Sequence, residues 1–290
     1  MTQTQTNPAS TAATSTSFGE KISFTADVVA FARTSTDIPL CPEIFDIAEK
    51  IGAPLDPKEK ARTNEEPHII PYMEARYKLT DRLLENSGYT QVIELASGLS
   101  PRGFIACDDP YVQYVEIDLP EKMFLKRKIV DELHRRQGTG RYSNLHLEEG
   151  NVINTNDMEA TETYFSRDPV FIVCEGLLRY LSFADKEKLA KNVRRIMEQH
   201  PGSIWTTPDI HLLCDVENLT TTTRWGVDVK PNMFRDIHHA REFFRGFGFL
   251  IEERSLAEMF DRLVTPKRFN MDERDVRTAL EKRTVFVMTL

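Results

Sequence analysis

Several features that mark whole classes of protein are scarce in this chain. Its four cysteines, Cys41, Cys107, Cys174 and Cys214, lie far apart and form no CxxC pair of the kind that builds zinc or redox sites. They read as reduced thiols of a cytoplasmic protein, and no metal ligands are assigned. Basic charge is short as well: 37 Lys and Arg stand against 45 Asp and Glu, a net charge of −8, whereas binding to a phosphate backbone draws on a basic surplus. Nucleic acid is not an expected partner. No apolar run approaches the length that spans a bilayer. The N-terminal stretch lacks arginine and an apolar h-region, so neither a membrane partner nor a secretory signal is expected.

What is present is an ordinary globular composition, 40% hydrophobic and 28% charged over 290 residues, long enough to bury a substantial core. Residues 1–20 open with Thr, Ser, Ala, Gln and Asn, too poor in large apolar groups to offset their ordering entropy, and are expected to be a disordered tail. Residues 21–290 are expected to form one domain. Its first part, 21–88, reads as helical, with Phe24, Val28, Val29 and Phe31 near helical spacing and an amphipathic helix over 73–84 stopped by Asn86-Ser87-Gly88. Pro39, Pro42, Pro54, Pro57, Pro67 and Pro71 are read as breakers between these helices, and the section as a lid over an acceptor pocket.

From residue 89 the pattern changes to short apolar runs alternating with helical segments, the mark of a parallel sheet with crossover helices. Strands are predicted at 91–96, 111–117, 145–147, 170–174 and 203–206, with two more, 249–252 and 284–289, near the C-terminus; helices are predicted at 120–136 and 183–199, the latter capped by Ser182. This is an α/β, doubly wound, mostly parallel seven-stranded sheet closed by a late hairpin.

Ligands of such sheets sit at the carboxyl ends of the strands. The first strand runs into Glu94-Leu95-Ala96-Ser97-Gly98-Leu99-Ser100, where Gly98 permits a sharp turn and a close backbone approach, although the same turn serves as a plain strand-to-helix connection. Asp118 ends the second strand, placed to accept from ribose hydroxyls, with Glu116 two residues earlier on the same strand face and Leu119 beside it. Both acids could equally cap the next helix. Ala96, Leu99 and Ser100 depart from GxGxxG, which disfavours a pyrophosphate and favours a phosphate-free cofactor. Asn151 and Val152 follow the third strand as a polar and apolar pair for an adenine edge and face, or as turn residues. Glu175 ends the fourth strand, where a buried charge calls for a cation, either a ligand ammonium or an arginine. His211, after the fifth strand and ahead of His238 and His239, is the best-placed base if one is needed.

The combination of Ala75-Arg76, Glu94-Leu95-Ala96-Ser97-Gly98-Leu99 with Arg102, Glu116-Ile117-Asp118-Leu119-Pro120 and Glu175-Gly176-Leu177-Leu178-Arg179-Tyr180-Leu181 resembles the leucine carboxyl methyltransferase family, over about residues 25–203. The resemblance implies a class I, Rossmann-like methyltransferase fold, S-adenosyl-L-methionine as cofactor, and O-methylation of a small acceptor, with a carboxylate expected. It implies that Gly98 lines the methionine portion, Asp118 the ribose, Asn151 and Val152 the adenine, and Glu175 the region of the cofactor amino group, with Glu94, Ala96, Ser97, Glu116, Leu119 and Gly176 as further cofactor-binding residues. Arg76 would meet a carboxylate of cofactor or acceptor, with Tyr180 beside it as a second catalytic candidate, and Arg33 and His211 would face the acceptor. Asn151 stands where the family usually has aspartate. A nicotinamide oxidoreductase and a non-catalytic binding module on the same fold remain the alternatives at this point.

Overall fold

The computed structural model describes residues 18–52, 54–213 and 228–290, with side chains from Thr25 onward. Of the tail read at residues 1–20, residues 1–17 lie outside the described residues, as does Cys214, while 18–20 belong to the first helix rather than to a tail; Cys41, Cys107 and Cys174 are free and buried.

Seven strands form one sheet: β1 (Gln91–Leu95), β2 (Gln113–Asp118), β3 (Leu145–Glu149), β4 (Val170–Cys174), β5 (Ile204–Thr207), β6 (Leu250–Ser255) and β7 (Thr284–Thr289). Their order is β3-β2-β1-β4-β5-β7-β6. The first five are parallel, and β7 runs antiparallel between β5 and β6. Strand order reverses between β1 and β4, so the crevice at their carboxyl ends is the topological switch point. Every residue of β1 and β4 is buried, which is why both read as unbroken runs rather than alternating ones.

Period-two alternation sorts the strand side chains between two layers. Ile93, Leu95, Val115, Ile117, Val170 and Ile172 join the core under α8 (Phe183–Gln199). Val92, Tyr114, Phe171 and Val173 point the other way. Glu94 and Glu116 share that second face, the side occupied by α6 (Pro120–Gln137) and the short α5 (Arg102–Ala106).

Before the sheet stand α1 (Phe18–Arg33), α2 (Cys41–Ile51), α3 (Pro57–Glu65) and α4 (Ile70–Ser87). Three of the prolines read as breakers sit instead in the first turn of a helix: Pro42 in α2, Pro57 in α3 and Pro71 in α4. Proline is tolerated there because the first turn has no intrahelical partner for its missing N–H. α4 thus begins before residue 73. Its first half is buried on all sides, including Glu74 and Arg76, rather than amphipathic, because it packs against both α1 and the 3-10 turn Leu256–Arg262. Gly88, at φ +71°, ends it in the left-handed conformation expected of a C-terminal glycine. Among the described residues no helix is long and apolar enough to cross a membrane.

Candidate functional site

A cavity of about 700 Å³ opens at the carboxyl ends of β1, β2 and β4, with α1 and the start of α4 forming its other wall. Of the candidates named from sequence, Arg33, Arg76, Ala96, Ser97, Gly98, Asp118, Leu119, Asn151, Val152, Glu175, Gly176 and Tyr180 line it. Glu94, Glu116 and His211 do not.

Each placement has a local cause. Ala96 and Gly98 both adopt positive φ, 53° and 55°, so the chain turns sharply off β1. The Gly98 N–H then donates to Asp118 Oδ2 at 2.7 Å, and the Leu119 N–H donates to Oδ1 at 2.7 Å. Burial raises the Asp118 carboxyl, opposed by these two amides. One turn and one acid, 20 residues apart in sequence, are thereby a single unit. A methyl group added at Gly98 would meet the Ala26 side chain of α1 at 3.5 Å, so this turn lies close under the N-terminal helix. Asn151 keeps the turn role: its Oδ1 accepts from the Ile153 N–H at 3.2 Å.

Glu175 is the electrostatic centre. Its Oε1 is paired with Arg33 and, at 2.8 Å, with Arg76 Nε, while Arg102 donates to Oε2 at 3.2 Å. Burial alone would raise this carboxyl, but the three guanidiniums outweigh it and hold it at about 2. The sequence called for one cation here; the structure supplies three. Arg76 is accordingly buried, 3% exposed, and not part of a surface pair with Glu74 or Asp81. Those two acids are engaged elsewhere, Glu74 with Lys78 and Asp81 with Arg102.

Glu94 and Glu116 serve the wall behind the cavity. Glu94 takes Arg102 at 2.6 Å and the Tyr114 hydroxyl at 2.8 Å, and Glu116 pairs with Lys126 at 2.6 Å. Both lie short of the carboxyl ends of their strands, on the face covered by α5 and α6, whereas Asp118 stands at the end of its strand and Glu175 one residue past it.

His211 lies behind the cavity wall, its Nε2 accepting from Arg179. Burial, followed by the nearby cations Arg179, Arg283, Arg76 and Lys186, depresses it well below the ordinary imidazole range, so it is neutral. With Nε2 accepting, that lone pair is engaged. His238 and His239 also lie outside the lining. The Tyr180 hydroxyl donates to Thr25 Oγ1 of α1 at 3.1 Å. Two residues without an assigned role in the sequence reading belong to this region. Asp209 accepts the Gly176 N–H and, at 2.7 Å, the Leu177 N–H, fixing the turn after β4. Arg179 lines the cavity; the lone charge within the apolar run Leu177-Leu178-Arg179-Tyr180-Leu181 was the available signal.

This is the architecture of a class I methyltransferase. An O-methyltransferase family protein from Burkholderia thailandensis superposes with a TM-score of 0.50 at 14% identity, covering 87% of this chain and 67% of that one. PigF with SAH gives 0.46 at 14% identity over 70% of this chain, and phosphoethanolamine N-methyltransferase 2 of Haemonchus contortus with S-adenosyl-L-methionine gives 0.45 at 10% identity over 73%. This chain spans about half, 51%, of the length of each of those two. No curated protein matches it in sequence. The leucine carboxyl methyltransferase model matches residues 35–194, more than half of the chain. The chain belongs to the leucine carboxyl methyltransferase family, whose cofactor is S-adenosyl-L-methionine, and this displaces the nicotinamide alternative.

Proposed function

We propose that the protein transfers a methyl group to an oxygen of a small carboxylate acceptor, and that the cavity described above is the active site. The reading rests on one observation: among the described residues the cavity lining holds no histidine, and its two buried carboxylates, Glu175 and Asp118, are already engaged. Glu175 is held ionised at about 2 by three arginines and is therefore a very weak base. The Asp118 oxygens each accept a backbone N–H, and the nearest histidine lies behind the wall with its Nε2 lone pair occupied. An alcohol or phenol acceptor needs a base, whereas a carboxylate is already ionised at neutral pH.

The residues present fit the cofactor. Asp118, aligned by two amides, retains lone pairs for the ribose hydroxyls, and Leu119 and Val152 supply apolar surface for the adenine. The buried Arg33 Nε has no hydrogen-bond partner among the described residues and belongs to a lining residue. Arg102 is matched by Glu94 and Asp81 behind the wall, so the members that line the cavity, Arg33, Arg76 and Glu175, present two guanidiniums to one carboxylate, which suits a methionine carboxylate better than an ammonium. We therefore assign Arg33 and Arg76 to that carboxylate and Glu175 to holding them in place. When bound, the cofactor supplies an activated methyl on sulfonium sulfur. It would give that methyl to an acceptor oxygen that is already ionised and leave as the neutral thioether, so the chain's residues would have no proton to remove. The chain's contribution is alignment and exclusion of water, with α1 acting as the lid.

The test is to offer matched panels of carboxylic acids, phenols and amines with radiolabelled cofactor. The expected product is a methyl ester, which mild alkali cleaves to labelled methanol. Turnover that yields only alkali-stable label would overturn the carboxylate reading. In the same assay Arg76→Ala is expected to lose nearly all turnover and Arg76→Lys most of it, because a lysine cannot reproduce the guanidinium fork.

A further inference from the structure

Four basic residues line the cavity, and three have a carboxylate partner. Arg33 and Arg76 are paired with Glu175, and Lys122 Nζ lies 2.9 Å from Asp27 Oδ1. The fourth, Arg179, contacts no carboxylate among the described residues. Among the described residues its side chain hydrogen-bonds to His211, and its Nε is buried with no hydrogen-bond partner. A guanidinium in that state costs free energy without a return in stability.

No carboxylate among the described residues reaches the guanidinium directly. In the nearby acid Asp209, Oδ2 accepts the Gly176 and Leu177 amides and Oδ1 lies 4.0 Å from His211 Nε2, while the other charges around His211 are Arg76, Arg283 and Lys186, all cations. The guanidinium is held from behind by His211, and its backbone carbonyl accepts from the Asn232 side chain at 3.4 Å. It is thus a fixed cation on the cavity wall. The lining around it that comes from α1, α4 and the 3-10 turn after β4 is apolar: Val29, Ala30, Met73, Leu177 and Leu181.

We propose that Arg179 is the specificity-determining residue for the acceptor: it receives the acceptor's carboxylate, and the acceptor is a monocarboxylic acid with an apolar body. The inference rests on the methyltransferase reading above, and it assigns the acceptor's anion to Arg179 rather than to Arg76. A single unpaired cation beside apolar surface selects one anionic group and rejects a second charge, which would be buried without a partner. His211 acts as a positioning residue, its neutral Nε2 fixing the guanidinium plane without placing a carboxylate on it.

Calorimetry on protein saturated with S-adenosylhomocysteine tests this. The probes are butyrate, octanoate, palmitate, benzoate and phenylacetate, each paired with its primary amide. Wild type is expected to bind at least one acid about tenfold or more tightly than the matching amide. Arg179→Met should abolish that preference while binding S-adenosylhomocysteine as wild type does, and Arg179→Lys should restore part of it. No acid preference in wild type, or the same preference in Arg179→Met, overturns the proposal. Failure of S-adenosylhomocysteine to bind wild type would instead strike the methyltransferase reading beneath it, so the two failures are distinct.

Discussion

At the carboxyl ends of β1 and β4, Arg102 is 3% exposed and touches Asp81, Glu94 and Glu175 at once, with its guanidinium carbon 4.2 Å from the Tyr77 ring centroid. At the opposite edge of the sheet, Arg241 meets Glu253 of β6 at 2.5 Å, but the two side chains remain 44% and 36% exposed. Both are ion pairs of good length, yet they answer to different physics. The exposed pair keeps its hydration and can be lost cheaply. The buried cluster has given up its water, so each member depends on all the others, and an apolar cluster of similar volume would hold the fold as well or better. Charge concentrated where it is costly, beside a cavity and at the switch point of the sheet, is the mark of a site kept for binding.

The largest expected effect comes from removing the hub. Arg102→Ala leaves Glu94 buried and without its cation, and urea titration should show a loss of roughly 3–5 kcal/mol. A loss under about 1 kcal/mol would erase the distinction between the two regions.

Next in size is the acid response of Glu175. Its folded-state carboxyl, at about 2, lies below the ordinary value of 4.5, so its contribution is complete above the unfolded value and fades as pH falls from there towards the folded one. On linkage the contribution is worth about 3 kcal/mol. Wild type should therefore lose stability relative to Glu175→Gln on acidification from about pH 5 to about pH 2. Parallel stability curves for the two proteins would show that the arginines do not hold the carboxylate ionised.

Asp118 sits between the two regimes, at the edge of the cavity. Asp118→Ala is expected to weaken S-adenosylhomocysteine by about 1.5–3 kcal/mol, the range for hydrogen bonds to a charged group, in calorimetry of a protein that remains folded. Unchanged affinity would move the ribose away from β2. The smallest effect is reserved for the exposed pair: Arg241→Ala should cost under about 1 kcal/mol in the same urea titration, and a larger loss would mean that the edge is drier than its exposure indicates.

Much of the frame was legible because it is written in local pattern. β4, β7 and α8 fall at the predicted limits, and Ser182 caps α8 by accepting the Asp185 N–H at 3.1 Å. Boundaries shifted where pairing, not hydrophobicity, sets them. Tyr111 is 81% exposed and β2 starts at Gln113, while β3 runs on to Glu149 because that residue pairs with Asp118. β6 likewise continues to Ser255 opposite Thr284 of β7.

The sequence by itself determined the order of strands and helices, the sharp turn at Gly98 and the acids at the strand ends, since burial periodicity and turn chemistry act between near neighbours. Only the tertiary structure decided which charges meet. It paired Glu94 with Arg102 and Glu116 with Lys126 behind the cavity, buried Arg76 within α4, and brought Arg33 to Glu175 across 142 residues. It also left Arg179 on the cavity wall, held by a neutral imidazole and touching no carboxylate among the described residues. A long charged side chain has no periodicity that fixes its partner. Its environment is set by segments distant in the chain, and in a dry interior that environment determines whether the charge stabilises the fold or waits for a ligand.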